Sequence, residues 1–360
     1  MAGSSFVPKS VLLTGGAGFI GSHVLERLVL DLPETEFVCL DCLDYVASMK
    51  NLDAVRDLPR FTFVKGDIRS ADLVSYILEK HQCDTIYHFA AESHVDNSFL
   101  NSVKFTQTNI VGTHVLLECA KKVLHQIKRF IYVSTDEVYG ENRESQIADA
   151  SHEAVHDENF LLQPTNPYSA TKCAAEHIVR AFYISFHMPI IITRGNNVYG
   201  PRQYPEKLIP KFINLLERKQ KCPIHGDGSH RRSFLFVEDV AEAYKTVLLY
   251  GRVGETYNIA HQFEVTNLEV GQQLAKLFGR SPEEAIYFVR DRDYNDRRYK
   301  ISHEKIKSLG WEPKTSFEDG LRKTIDWYRK HEKHWTSNIE NVLTPHPVRQ
   351  RATGFGDLSP

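Results

Sequence analysis

The sequence lacks any long hydrophobic run. None of its apolar stretches approaches the ~20 residues that cross a bilayer, and residues 1–9 have no apolar core like that of a signal peptide. It also lacks an excess of charge, because 44 Lys and Arg against 46 Asp and Glu give a formal net charge of −2 over 360 residues. Such a balance offers no bulk attraction for nucleic acid or a membrane surface. We therefore expect a cytoplasmic protein with neither as a partner.

Cysteine is scarce and scattered, at positions 39, 42, 83, 119, 173 and 222. Cys39 and Cys42 form a C-x-x-C, but Cys39 falls inside a predicted strand and no second pair of ligands accompanies them. A redox or metal pair is therefore the weaker interpretation. We expect one buried thiol, one loop thiol and no metal.

Short apolar runs alternate with amphipathic stretches along the first 200 residues. The runs predict strands at 11–15, 37–41, 61–65, 85–90, 129–134 and 189–194, and the stretches predict helices at 22–31, 70–80, 105–123 and 168–186. Such alternation is typical of an α/β fold with a doubly wound parallel sheet.

After residue 200 the elements become shorter and less regular. They are predicted at 206–219, 233–237, 239–250, 256–260, 266–278 and 316–331. The length and this change favour a Rossmann domain at 1–200 and a smaller α/β substrate-binding lobe at 201–345, with some chain crossing back. We expect a disordered tail at 346–360, and a surface loop near the site mouth at the acidic segment 141–163.

A glycine-rich stretch joins the first predicted strand to the first predicted helix. Gly15, Gly18 and Gly21 allow a tight turn and close approach of a pyrophosphate, and the helix N-terminus offers unpaired N–H groups. Asp41 ends the second strand, where a carboxylate can accept both hydroxyls of an adenosine ribose and repels a 2′-phosphate. No Arg lies between Asp41 and Asn51. The pattern therefore predicts NAD rather than NADP as the cofactor. The presence of Asp41 argues against the alternative, a strand–turn–helix whose glycines serve packing alone.

Two groups of polar residues could meet in one pocket. Thr135, Asp136 and Glu137 follow the strand-like run 129–134, and Tyr168 and Lys172 stand four apart on one helix face. A neighbouring positive charge can lower the pKa of a phenol from about 10 by roughly 1–3 units, so that Tyr168 could serve as a base. Two adjacent carboxyls repel, which raises one pKa and favours a protonated acid. This combination suits removal of water from a sugar through a transient ketone.

Asn166 and Pro167 predict where the helix that carries Tyr168 begins. Asn is a favoured N-cap, and Pro is favoured as the first helical residue. A Tyr and Lys on an exposed helix face would be unremarkable alone. Thr135 favours a catalytic site over an exposed helix face, since its hydroxyl could hydrogen-bond the sugar oxygen that Tyr168 deprotonates.

Five stretches together resemble the extended short-chain dehydrogenase/reductases, and within them the nucleotide-sugar 4,6-dehydratases that act on UDP-glucose or dTDP-glucose. The stretches are 14–21, 88–96, 133–140, 164–172 and 194–201, and the likeness extends from about residue 11 to 328. The related 4-epimerases have the Tyr and Lys without an Asp-Glu pair. The related decarboxylases and GDP-mannose dehydratases keep the Glu without this Asp.

The resemblance implies roles for each polar residue. Tyr168 would take the proton of the sugar 4-hydroxyl, Glu137 the C5 proton, and Asp136 would protonate the leaving C6 hydroxyl. The residues implied for NAD are Gly15, Gly18, Phe19, Ile20, Gly21, Asp41, Asp67, Ile68, Ala90, Ala91, Ser93, Tyr168 and Lys172. Those implied for the substrate are Ser93, Thr135, Asn197, Glu206, Lys207, Leu208, Lys211, Arg232, Asn267, Arg292 and Asn295. A homodimer through the helices near 105–123 and 168–186 is also implied.

Other interpretations stay open at this point. A UDP-sugar 4-epimerase or decarboxylase would share most of these stretches, and a Rossmann protein that binds NAD to regulate a partner would share the fold without the chemistry. Residues 193–199 and 223–228 resemble the UDP-glucose dehydratase domains of rhamnose-making pathways more closely, which favours uridine. Uracil and thymine differ by one methyl, worth only about 1–3 kcal/mol in a pocket.

Overall fold

A computed structural model describes residues 5–141, 155–290, 300–335 and 339–344 of the chain. Its strands are β1 Ser10–Thr14, β2 Glu36–Asp41, β3 Phe61–Lys65, β4 Thr85–His88, β5 Arg129–Thr135, β6 Ile190–Gly195, β7 Asn197–Tyr199, β8 Cys222–His225, β9 Arg231–Phe236, β10 Thr256–Ile259, β11 Glu264–Thr266 and β12 Ile286–Val289. No helix within these ranges has the length and apolar character to cross a membrane.

The longer helices follow the predicted amphipathic stretches, and several short helices were not predicted. They are α1 Phe19–Asp31, α2 Ala71–Lys80, α3 Val95–Leu100, α4 Ser102–Phe105, α5 Thr113–Lys122, α6 Pro167–Phe186, α7 Leu208–Glu217, α8 Val237–Tyr250, α9 Asn267–Leu277, α10 Pro282–Ala285, α11 Glu304–Lys307, α12 Phe317–Lys330 and α13 Ile339–Leu343. Short 3₁₀ turns cover Met49–Leu52 and Asp136–Tyr139, and a π-helical segment covers Thr106–Gly112.

The main sheet has seven parallel strands in the order β3-β2-β1-β4-β5-β6-β10. Its central strands are apolar on both faces because helices cover both: α1 and α8 pack on one side, and α2, α5 and α6 on the other. The doubly wound sheet predicted from the sequence is confirmed. The chain order reverses between β1 and β4, and a crevice at the carboxyl ends of the strands is expected there.

The smaller lobe has its own core around α7, α9 and α12, with the sheets β11-β9-β7 and β12-β8 beside it. The chain also returns from this region to the main sheet, where β10 pairs in parallel with β6. The residues that follow β10 therefore lie at the carboxyl end of the main sheet.

The helix predicted at 105–123 is not a single α-helix. It consists of α4, the π-helical segment Thr106–Gly112 and α5 in unbroken succession. In the π-helical turn Asn109 accepts the backbone N–H of Glu92 at 2.8 Å and donates to the hydroxyl of Thr171 on α6 at 3.0 Å. The π-helical turn thus connects the loop after β4 to the helix that carries Tyr168. Hydrophobic periodicity in the sequence does not distinguish such a turn from an α-helix.

The segment predicted as a surface loop at 141–163 is mostly exposed over its described residues 155–163, but two of its side chains are buried. His156 is 2% and Glu158 is 9% exposed, because the Glu158 carbonyl accepts Arg194 Nη1 at 3.1 Å and its carboxylate accepts the backbone N–H of Asn258 at 2.9 Å. The acidic composition predicted exposure to solvent, but the Glu158 carboxylate accepts a hydrogen bond from a buried backbone N–H. Residues 142–154 and the tail predicted at 346–360 lie outside the described residues.

Arg194 and Glu176 form an ion pair in the interior of the protein. Their side chains are 1% and 0% exposed, and Arg194 also donates to the Tyr139 hydroxyl at 2.7 Å. A buried charge is costly unless it is paired and hydrogen-bonded, so each partner depends on the other. The pair joins α6, which carries Tyr168, to strand β6 of the main sheet.

We expect Glu176→Gln to reduce the free energy of unfolding by about 3–5 kcal/mol, because it leaves the Arg194 guanidinium buried without a counter-charge. Urea titration followed by circular dichroism measures the change. Glu318→Gln is the matched control, since Glu318 pairs with Arg322 at 2.6 Å on the surface with both side chains more than half exposed. That control should lose under about 1 kcal/mol. Equal losses in the two variants would contradict the structural role given to Glu176.

Candidate active site

The carboxyl ends of the main-sheet strands open into a cavity of about 580 Å³ that also reaches the smaller lobe. Nearly all residues predicted for a site lie in its lining. They are Gly15, Gly18, Phe19, Ile20, Gly21, Asp41, Asp67, Ile68, Ala90, Ala91, Ser93, Thr135, Asp136, Glu137, Tyr168, Lys172, Asn197, Glu206, Lys207, Leu208, Arg232 and Asn267. The cavity therefore gathers residues separated by up to 252 positions in the sequence.

Among the described residues predicted to bind substrate, Lys211 is not in this lining. The Nζ of Lys211 on α7 instead donates to the Thr344 carbonyl at 2.7 Å, near the end of the described chain. Arg292 and Asn295 lie outside the described residues. The placement of Lys211 gives its predicted substrate role no support.

The first βα turn has the shape that a dinucleotide pyrophosphate requires. Gly15 has a φ of +74°, and a Cβ there would lie 2.6 Å from the backbone nitrogen of Ala90, so only glycine fits between the two strands. Helix α1 begins after Gly18 with no side-chain cap, which leaves N–H groups of its first turn to face an anion. The residues present therefore fit a dinucleotide.

Asp41 holds the loop beside that turn. Its Oδ2 accepts the backbone N–H of Ala17 at 2.9 Å, and its Oδ1 accepts that of Leu43 at 2.8 Å. Burial raises its pKa, and the two N–H donors offset part of that effect. Each carboxylate oxygen keeps a lone pair for a ribose hydroxyl, so Asp41 both shapes the loop and can bind a nucleoside.

We expect Asp41→Asn to weaken NAD retention about 10-fold and to reduce discrimination against NADP, because the amide replaces one acceptor by a donor and removes the charge that opposes a 2′-phosphate. Fluorescence titration with each dinucleotide measures both effects. Asp57→Asn is the control, as the Asp57 side chain is 89% exposed. Unchanged preference in Asp41→Asn would show that another residue excludes NADP.

The acid pair stands at the point where β5 becomes a 3₁₀ turn. The Thr135 hydroxyl accepts the backbone N–H of Glu137 at 3.3 Å and thereby caps the turn. The same hydroxyl lies 3.2 Å from Oδ1 of Asp136 and hydrogen-bonds Tyr168. Thr135 thus connects the strand end to the tyrosine on α6.

Asp136 is buried and is held by an asparagine. Its Oδ2 accepts Nδ2 of Asn196 at 2.8 Å, and its side chain is only 3% exposed. Burial raises the pKa of Asp136 from 3.8 to about 6, although Asn196, Thr135 and the charge of Arg232 oppose the rise. The sequence predicted a raised pKa from repulsion between the two acids, whereas here burial raises it and the backbone N–H of Glu137 lowers it. Such a carboxyl can donate a proton near neutral pH.

Glu137 is held by the residue that begins α6. Asn166 accepts the Ser169 backbone N–H at 2.9 Å through Oδ1 and donates from Nδ2 to Oε2 of Glu137 at 3.0 Å. The predicted N-cap is therefore confirmed, with Pro167 as the first helical residue. The cap also fixes Glu137, which is less buried than Asp136 and faces the cavity.

Tyr168 and Lys172 project from the first two turns of α6. Burial and the negative charge of Glu137 raise the pKa of Tyr168, and the hydrogen bond with Thr135 opposes that rise. Nζ of Lys172 donates to the Val133 carbonyl at 2.6 Å, and burial lowers the pKa of Lys172 to about 7. In the protein alone, the phenol is therefore not activated in the way that the Tyr/Lys spacing predicted.

The smaller lobe and the Rossmann side meet across the cavity through polar contacts. Tyr45 donates its hydroxyl to Oε2 of Glu206 at 2.9 Å, and Lys207 Nζ donates to the Ser93 carbonyl at 3.1 Å. Arg232 lies near enough to Asp136 to lower its pKa. Of the cations expected to face a diphosphate, Arg232 is therefore close to the acid pair.

Sequence reasoning did not identify Asn196 or Tyr45 as site residues. Asn196 precedes the predicted substrate residue Asn197, and the position of this Asn-Asn pair after a main-sheet strand was a usable signal. Tyr45 follows Asp41 in the loop after β2, and its partner Glu206 is 161 positions away. No local pattern marks such a contact.

The fold and this cavity together define an extended short-chain dehydrogenase/reductase. A parallel sheet carries a glycine turn and Asp41 on one side of its switch point, and the Tyr/Lys helix on the other. The chain belongs to the GDP-mannose 4,6 dehydratase family, whose match covers residues 12–324.

Curated relatives cover nearly all of the chain. It is 52% identical over 347 residues to a trifunctional UDP-glucose 4,6-dehydratase/UDP-4-keto-6-deoxy-D-glucose 3,5-epimerase/UDP-4-keto-L-rhamnose-reductase of Arabidopsis thaliana, covering 96% of this chain and 51% of that protein. The chain thus spans about half the length of such relatives. It is 46% identical over 346 residues to a dTDP-D-glucose 4,6-dehydratase of Mus musculus, covering 95% and 94% of the two chains.

A solved structure extends the likeness to three dimensions. The dTDP-glucose 4,6-dehydratase of Streptomyces venezuelae, crystallised with NAD bound, superimposes with a TM-score of 0.84 at 39% identity. The match covers 91% of this chain and 98% of that one.

Proposed function

We propose that the chain is an NAD-dependent nucleotide-sugar 4,6-dehydratase that converts UDP-glucose or dTDP-glucose to the 4-keto-6-deoxy sugar and water. The observation that carries this proposal is one cavity in which Thr135, Asp136 and Glu137 at the end of β5 face Tyr168 and Lys172 on α6. A dehydration needs both an acid and a base beyond the oxidising tyrosine, and the two carboxyls supply them.

The residues of the glycine turn and Asp41 would hold the dinucleotide, with Lys172 available to its second ribose. When bound, NAD would supply positive charge and the hydride chemistry for oxidation at sugar C4 and reduction at C6. Tyr168 takes the proton of the 4-hydroxyl, and Thr135 orients that oxygen. The resulting 4-ketone makes the C5 hydrogen acidic, so that a carboxylate can remove it.

Elimination then uses the two acids in different roles. Glu137 removes the C5 proton, and the electron pair of that C–H bond forms the C5–C6 double bond while the C6–O bond breaks. Asp136 donates its proton to the departing oxygen, so water rather than hydroxide leaves. Its pKa of about 6 suits an acid that works near neutral pH. A final protonation at C5 completes the product.

UDP-glucose is the favoured substrate within this proposal. The support is the 52% identity to the plant protein named for UDP-glucose, against 46% to the mouse protein named for dTDP-glucose. The plant name also supports a route to rhamnose or another 6-deoxy sugar. A cytosolic location rests on six free thiols, which suit a reducing compartment.

The decisive experiment incubates the protein with UDP-glucose and dTDP-glucose in parallel. The alkali-induced absorbance of a 4-keto-6-deoxy sugar, together with loss of one water by mass spectrometry, scores the reaction. Formation of a 4-epimer would identify an epimerase instead, and sustained net NADH would identify a simple dehydrogenase. Bound NAD with no turnover of either substrate would favour a regulatory protein.

A homodimer through the helices near 105–123 and 168–186 is also part of the proposal. Apolar side chains on α4, the π-helical segment and α6 are exposed, and they are Val103 at 63%, Val111 at 47%, Tyr183 at 38%, Ile184 at 71% and Phe186 at 41%. Exposed apolar side chains on these helices support an interface there. Light scattering of the wild type and of Ile184→Glu tests it, and a wild-type monomer would refute it.

A further inference from the structure

Asn196 lies between β6 and β7 and contacts the acid that the proposed reaction requires. Its Nδ2 donates to Oδ2 of Asp136 at 2.8 Å, and the side chain is 5% exposed where it lines the cavity. The two residues are 60 positions apart, so the main-sheet register brings them together. Asn196 therefore contacts Asp136 from beyond the end of the neighbouring strand β6.

The amide of Asn196 can adopt only one orientation. Its Oδ1 accepts the backbone N–H of His261 at 3.1 Å, and its own backbone N–H donates to the Ile259 carbonyl at 3.1 Å. A backbone N–H can only donate, so the amide oxygen must face His261 and the amide nitrogen must face Asp136. Oδ2 of Asp136 is consequently an acceptor whether or not the carboxyl is protonated.

The other carboxyl oxygen faces the reacting side. Oδ1 of Asp136 lies 3.2 Å from the Thr135 hydroxyl, which already accepts the Glu137 backbone N–H and contacts Tyr168. The charged and titratable groups that face Asp136 are Glu137 from the same turn, Tyr168 from α6 and Arg232 from β9. The backbone N–H of Glu137 also hydrogen-bonds Asp136, but among the groups that lower the pKa of Asp136 the Asn196 amide has the largest effect.

We propose that Asn196 is a positioning residue that confines the proton of Asp136 to Oδ1 and stabilises the carboxylate that remains after the proton is given. The inference rests on the proposed dehydration. In that step the Oδ1–H bond breaks and its proton passes to the C6 oxygen as the C6–O bond breaks. The negative charge left on Asp136 is delocalised over both carboxylate oxygens, and the Asn196 N–H stabilises it by donating a hydrogen bond to Oδ2.

Asn196→Ala removes the donor, and Asn196→Asp keeps the shape but puts a carboxylate in its place. Both should raise the pKa of Asp136 by about one unit or more, because the charged form loses its hydrogen bond. The elimination step in single turnover should therefore keep its rate to higher pH, with a plateau about 10-fold lower. Oxidation at C4, followed as NADH formation, should change less than twofold.

Asn258→Ala is the matched control. Asn258 is an equally buried asparagine in β10 that bonds Tyr139 and the His156 carbonyl. Its loss should reduce stability without moving the pH profile. A fall of C4 oxidation and elimination together in both variants of Asn196 would show a merely structural role and overturn the proposal.

A measurement without turnover separates this inference from the proposed function. The infrared band of the protonated Asp136 carboxyl, assigned by subtracting the Asp136→Asn spectrum, can be titrated in the protein with bound NAD. An upward shift in Asn196→Ala supports the inference, and an unchanged titration overturns it. Absence of turnover in the wild type would instead refute the dehydratase proposal.

Discussion

Tyr168→Phe should reduce turnover of nucleotide glucose by about 10³-fold while leaving bound NAD nearly unchanged. Only the phenolic oxygen is lost, and the ring keeps its packing, including the edge contact with Phe105 at 6.4 Å between centroids. The proton of the 4-hydroxyl then has no acceptor, and a positioned base contributes about 10²–10⁴-fold. NADH formation in a single turnover should fall as far as the steady-state rate, because oxidation at C4 comes first.

The control makes the same chemical change away from the cavity. Tyr76→Phe alters a side chain that is 56% exposed on α2, and its turnover should match the wild type. Dinucleotide released by heat denaturation and measured by absorbance reports cofactor content for each variant. Wild-type turnover in Tyr168→Phe would place the base on another residue and remove the central assignment of the site.

Local patterns predicted the elements that create the site. The apolar run before Thr135 predicted β5, and Asn166-Pro167 predicted where α6 begins, so the acid pair and the tyrosine could be placed at one sheet edge. These predictions succeeded because strand ends and helix caps depend on neighbours in sequence. The doubly wound parallel sheet followed from the alternation of strands and helices, whereas the return of β10 to its edge was not predicted in detail.

Contacts between distant side chains were beyond that reasoning. The bond from Asn196 to Asp136 depends on the pairing of β5 with β6, and the burial of Glu158 depends on a charged Arg194 inside the protein. Composition gave the opposite answer for Glu158, because an acidic stretch is usually solvated. The electrostatics of Tyr168 were also missed, since burial and Glu137 outweigh a lysine four residues away.

The division of labour between the two acids should appear as separate kinetic defects. Glu137→Gln should suppress exchange of the C5 proton with deuterated solvent, because an amide cannot accept that proton. Asp136→Asn should slow loss of the C6 hydroxyl by about 10²–10³-fold while C4 oxidation persists, because the amide cannot protonate the leaving oxygen. Each substitution keeps nearly the same shape, so hydrogen bonds from Asn166 and Asn196 can still reach an amide oxygen.

The pH dependence distinguishes the acid from the base. Burial raises the pKa of Asp136 to about 6, so the protonated form is populated below that value and is lost as the pH rises through it. Wild-type elimination should therefore slow at higher pH, and Asp136→Asn should lack this dependence. Stopped-flow absorbance of NADH and mass spectrometry of deuterium incorporation follow the two steps separately. If Asp136→Asn eliminates water without delay while Glu137→Gln stalls at both steps, Glu137 acts as acid and base together, and Asp136 has another role.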